Sequence, residues 1–108
     1  MTRMDSPPVP GPRAHAVVVG AGLGGLASAM RLGARGYRVT VIDKLDVPGG
    51  RGSAIWKDGH RFDLGPTIVT VPQIFKELWA ACGRDFHAEV DLRPLDPFYE
   101  IRWPDGTR

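Results

Sequence analysis

At 108 residues, with 43% hydrophobic content and a formal net charge of +2, the chain has enough apolar material for one modest core but not for a cofactor domain plus a substrate domain. Its Lys and Arg residues are scattered, so nucleic acid is a poor partner, while an anionic phosphate or a membrane surface stays open. The single cysteine, Cys82, forms no internal disulfide, and His15, His60 and His87 lack metal-ligand spacing, so the chain reads as cytosolic and without metal.

The first thirteen residues contain SPPVPGP and offer almost nothing to bury, so residues 1–13 read as a disordered, proline-rich tail. Residues 14–108 then form one domain. From Ala14 to Val19 the run AHAVVV is short, β-branched and bounded by Gly20, as expected of a parallel strand buried on both faces. Residues 14–30 carry no formal charge, yet their four glycines and the charged segments behind them argue against a signal peptide or a membrane span.

Leu23, Leu26, Ala27, Met30 and Ala34 recur at helical spacing and predict a helix packed on a sheet, closed by a left-handed Gly36. Arg38 to Asp43, RVTVID, is a second strand, and the three elements make a βαβ unit. Ser53–Lys57 and His60–Asp63 flank Asp58-Gly59, which predicts a tight hairpin. Thr70-Val71-Pro72-Gln73 resembles a capping box, and Ile74, Phe75, Leu78, Trp79 and Cys82 line one face of the helix it opens, with Gly83 ending it. Phe98 to Trp103 alternates like a strand and Asp105-Gly106 begins a turn, but the chain stops before a partner returns. The expectation is an N-terminal, truncated part of a larger domain.

Gly20-Ala21-Gly22-Leu23-Gly24-Gly25 satisfies G-x-G-x-x-G between strand and helix. In that role Gly20 makes the tight turn, Gly22 lets a pyrophosphate approach the backbone, and Gly25 lets helix and strand pack closely. The helix N-terminus presents N–H groups and partial positive charge to the phosphates. Asp43 ends the second strand, where an acid accepts from ribose hydroxyls and repels a 2′-phosphate, which disfavours NADP. Pro48-Gly49-Gly50-Arg51-Gly52 is a second glycine turn with an arginine, able to place a guanidinium against a longer dinucleotide.

On Gly20, Gly22, Gly25, Ala29, Gly36, Asp43, Gly49, Gly50 and Arg51, the stretch from Ala14 to Asp63 resembles the N-terminal FAD-binding region of the flavoprotein family that includes amine oxidases, protoporphyrinogen oxidases and carotenoid desaturases. Many members have glutamate where Asp43 stands. Within this family, GHRFDLGPTIVTVP (Gly59 to Pro72) and LDPFYEIRWPDGT (Leu95 to Thr107) look like the bacterial phytoene desaturases. The resemblance implies a Rossmann-like α/β fold with a small β-hairpin insertion, and FAD as cofactor. It implies cofactor contacts from Gly20, Ala21, Gly22, Leu23, Gly24, Gly25, Asp43, Lys44, Gly49, Gly50 and Arg51, with Gly65, Pro66 and Thr67 near the flavin ring. It further implies a lipophilic polyene substrate and peripheral association of a cytoplasmic protein with the membrane.

No catalytic residue is nominated, because hydride removal belongs to the flavin while the protein orients the substrate and keeps water out. The alternatives are a carotenoid isomerase, a desaturase of an oxygenated carotenoid, an amine oxidase, or a truncated piece without activity. Cys82 reads as a small buried hydrophobe, Trp56, Trp79 and Trp103 as core or interface residues, and His60 as exposed.

Overall fold

The computed structural model describes residues 12–108. All but two residues of the expected tail lie outside them.

Strand β1 (His15–Val19) leads through the first glycine turn into helix α1 (Leu23–Ala34), which crosses back to strand β2 (Arg38–Ile42). The strands pair in parallel from His15 opposite Arg38 to Val19 opposite Ile42. The β-branched runs favour these strands, and the alanine- and leucine-rich segment between them favours the helix. Gly36, at φ +90°, closes α1: its N–H donates to the Gly33 carbonyl and that of Tyr37 to the Leu32 carbonyl, the paired bonds of a Schellman end.

A 3₁₀ turn over Gly50–Gly52 precedes the antiparallel hairpin of β3 (Ala54–Lys57) and β4 (His60–Asp63). Its two turn residues, Asp58 and Gly59, both have positive φ (52° and 77°), which matches the twist of the flanking strands. Helix α2 (Pro72–Ala81) then packs against α1 and ends at Gly83 with the same bond pair, Gly83 N–H to Ala80 and Arg84 N–H to Trp79.

A short helix α3 (Phe86–Glu89) folds onto α2, with the Asp85 carboxylate accepting from the His87 N–H at 3.1 Å. Its Phe86 ring meets Trp79 edge-on at 5.3 Å, and the Trp79 indole N–H donates to Glu89. Leu78 and Phe86, each 5% exposed, form the hydrophobic centre with half-buried Phe75. Cys82 is half-buried, and its Sγ lies 3.6 Å from the Met30 carbonyl oxygen. Burial pushes its thiol pKa up, with nearby Arg84 and Arg31 opposing that weakly.

Several expectations are corrected. β1 is covered on one face only: Ala16 and Val18 turn toward α1, while Val17 is exposed and Val19 is 81% exposed, because among the described residues α1 is the only layer packed on this sheet. Leu23 and Ala34 are exposed at the two ends of α1, beyond the reach of the two short strands. The capping box does not form. Val71 is the N-cap of α2 and no side chain caps it, so Thr70 sits one residue too early. Residues 98–103 are not a strand; only the turn forms, with the Trp103 and Thr107 backbones joined at 3.0 Å. A strand needs a partner for its backbone, and the described residues supply none. The short helix α3 went unforeseen because four residues are too few to show a period. Trp56 is 72% exposed and Trp103 59%, so neither belongs to the core of this chain.

Candidate functional site

The two glycine turns meet. Gly22 and Gly49 form an isolated parallel bridge, and the Gly49 N–H donates to the Ala21 carbonyl at 2.7 Å. The approach leaves little room on the side of the second turn: a methyl at position 50 would sit 3.1 Å from the Gly22 Cα. Behind the first turn, a methyl at position 25 would sit 1.8 Å from the Gly20 carbonyl oxygen, so only glycine allows α1 to start this near β1.

In front of this scaffold lie two clefts. One, of about 470 Å³, is lined by Val19, Gly20, Ile42, Asp43 and Lys44, at the ends of both parallel strands. The other, of about 630 Å³, is lined by Gly22, Leu23, Gly24, Gly49, Arg51, Gly52, Leu64, Gly65 and Pro66. Most sequence candidates thus come together at the carboxyl end of the sheet, where α/β folds bind ligands. Ala21, Gly25 and Gly50 line neither cleft and serve as the scaffold behind them, with Ala21 buried. Thr67 is exposed and lines neither cleft. Val19, Ile42, Gly52 and Leu64 are lining residues outside the candidate set. Gly52 could have been found from its place in the GGRG run; Leu64 carried no such signal.

The second cleft is built for negative charge. Gly22 caps α1 without a side-chain acceptor, leaving the first-turn amides without a side-chain partner at the positive end of the helix. Arg51, exposed and making no ion pair with a described residue, is the only charged side chain lining it. A side chain at position 22 or 24 would meet nothing within 4 Å, so open space fronts both glycines and phosphate oxygens can reach the backbone.

The first cleft offers an acceptor. Asp43 accepts from the Ala21 N–H at 2.6 Å and from the Leu45 N–H at 2.8 Å. Those two bonds, the Ala21 bond foremost, hold its pKa below the usual carboxylate range, so it is ionised at neutral pH. Each carboxylate oxygen keeps a further lone pair for a hydroxyl donor. Acceptor and anion clefts sit on either side of Ala21, which the Asp43 bond ties to β2. No group of His, Cys, Asp and Glu among the described residues has the makings of a metal site.

A parallel βαβ unit with phosphate-receptive glycine turns and an acid at the end of β2 defines a dinucleotide-binding α/β protein. The chain belongs to the NAD(P)-binding Rossmann-like domain family, which matches residues 18–84. It is 75% identical over 93 residues to a phytoene desaturase (neurosporene-forming) of Cereibacter sphaeroides, covering 86% of this chain and 18% of that protein. A protein of the same name from Rhodobacter capsulatus is 71% identical over 94 residues, covering 87% of this chain and 18% of its own length. A phytoene desaturase (lycopene-forming) of a Paracoccus species is 50% identical over 92 residues, covering 84% of this chain and 18% of that protein. The chain therefore spans about a fifth of the length of these relatives.

Proposed function

We propose that the intact protein, of which these residues form the N-terminal cofactor-binding part, is an FAD-dependent oxidoreductase that desaturates a carotenoid precursor such as phytoene. The observation that carries this reading is the second glycine turn, bridged to the first and presenting Arg51, which makes no ion pair with a described residue. A simple nicotinamide site needs only the first turn, whereas a second set of amides and a guanidinium suit a longer dinucleotide. The similarity to proteins named phytoene desaturase directs the substrate choice.

FAD, when bound, supplies a ring that accepts hydride from carbon. The residues here hold and orient it: the Leu23 and Gly24 amides and Arg51 receive the diphosphate, and Asp43 accepts from the ribose. Gly65 and Pro66 close the far side of the diphosphate cleft. A polyene dissolves in lipid, so the intact enzyme takes its substrate from a membrane to which it attaches peripherally on the cytoplasmic side. Among the described residues no helix is long and apolar enough to cross a membrane.

The test is to express the intact protein, record its flavin absorption, and incubate it with phytoene in liposomes. New long-wavelength polyene bands support the proposal. A colourless protein, or one that oxidises a primary amine and leaves phytoene unchanged, would falsify it.

A further inference from the structure

The loop that leaves the hairpin is tied to the second glycine turn at two places. The Leu64 N–H donates to the Ser53 carbonyl at 2.9 Å. One residue on, a methyl at position 65 would lie 2.2 Å from the Arg51 carbonyl oxygen and 3.2 Å from the Gly52 Cα. Gly65 has no left-handed φ, so its torsions suit any residue, and the demand for glycine here is a demand for space. On its other side the second turn is already pressed against the first, through the Gly49 to Ala21 bond and the Gly50 to Gly22 approach. The turn that carries Arg51 is thus held between two bare backbones and has little room to retreat from either.

We infer that Gly65 is a positioning residue for the dinucleotide: by bringing the loop's backbone against Arg51 and Gly52, it fixes the second glycine turn, and the Arg51 guanidinium with it, at the anion cleft. Any side chain at position 65 must drive the Arg51–Gly52 peptide into the first turn or lift the loop away. Gly65 acts through the turn and needs no contact with the ligand. This inference rests on the dinucleotide reading of the cleft, and the experiment separates the two.

Amide hydrogen exchange on the flavin-free intact protein reads the turn itself. Gly65→Ala should speed exchange at the Gly52 and Ser53 amides, which are bonded to Gly49 and Gly50 within the turn, by about tenfold or more, while β1 and α1 keep their protection. FAD titration followed by flavin fluorescence should show affinity falling by about tenfold or more. Adding Arg51→Ala to Gly65→Ala should cost less than Arg51→Ala does in the wild type, since both act on one group. Unchanged exchange at Gly52 and Ser53, or fully additive losses, overturns the inference.

If Gly65→Ala loses protection throughout β1 and α1, Leu64→Gly decides by exchange alone, because it adds no atoms, while the loss of a side chain that lines the cleft would itself change affinity. Faster exchange at Gly52 and Ser53 is then expected, and its absence is equally fatal. A wild type that binds no FAD defeats the cofactor reading alone, leaving the exchange pattern to judge Gly65.

Discussion

Asp43 does more than wait for a ribose. Its carboxylate clasps the Ala21 and Leu45 amides, and through the Ala21 carbonyl it is linked to the second glycine turn as well. Because its folded pKa lies below the unfolded value, its contribution to stability is present above the unfolded carboxylate range and is lost as pH falls through the lowered folded value. Thermal melts of the flavin-free protein should therefore show wild type losing stability more steeply than Asp43→Asn below about pH 4. Parallel pH profiles would mean that the clasp does not operate in solution. Gly24 makes a second residue-scale test, because helix propensity and ligand access oppose each other there. Gly24→Ala should stabilise the empty protein by up to about 1 kcal/mol, since a methyl there meets nothing within 4 Å and alanine favours the helix. The same methyl should weaken FAD binding by intruding where phosphate approaches. Effects of the same sign on melting temperature and on affinity would refute the phosphate role of this turn.

At the scale of elements, the βαβ unit and the hairpin follow from patterns that local chemistry enforces. A β-branched run before a glycine turn makes β1, and Asp58-Gly59 makes the hairpin, because few other backbones suit those residues. The ends are less legible. Thr70, Val71 and Pro72 offer two possible starts for α2, and the helix begins with Pro72 in its first turn, which leaves Val71 as the cap and not the residue with the hydroxyl. Val71→Ser should supply the missing acceptor and stabilise the protein by about 1 kcal/mol. An unchanged denaturation midpoint would show that water already serves those amides. Residues 98–103 have the alternation of a strand but no ladder, since alternation records which face is apolar and says nothing of whether a neighbour exists to pair with it.

Taken whole, the molecule leaves much of its apolar surface open. Its radius of gyration is 18.1 Å, against about 13 Å for a compact chain of 100 residues, and Val19, Trp56 and Tyr99 are each more than two-thirds exposed. Apolar surface on this scale binds hydrophobic dyes and drives association. The 108-residue chain prepared alone should therefore enhance the fluorescence of anilinonaphthalene sulfonate, self-associate on gel filtration and fail to carry FAD through the column. The intact protein should do none of these. A monomeric chain that leaves the dye dark would show that these side chains find cover within it.

The order of elements, the two glycine turns and the acid at the end of β2 could be read from residue order alone, because glycine spacing, β-branching and turn chemistry act over a few neighbours. The roles of Gly22 and Gly25 within the first turn were legible from the motif, but those of Gly50 and Gly65 emerged only in three dimensions. Gly50 and Gly65 are needed where chain segments distant in sequence come within touching distance, and no local pattern records how closely two backbones approach. The bareness of one face of β1 is of the same kind, since burial depends on what the rest of the fold lays over a strand.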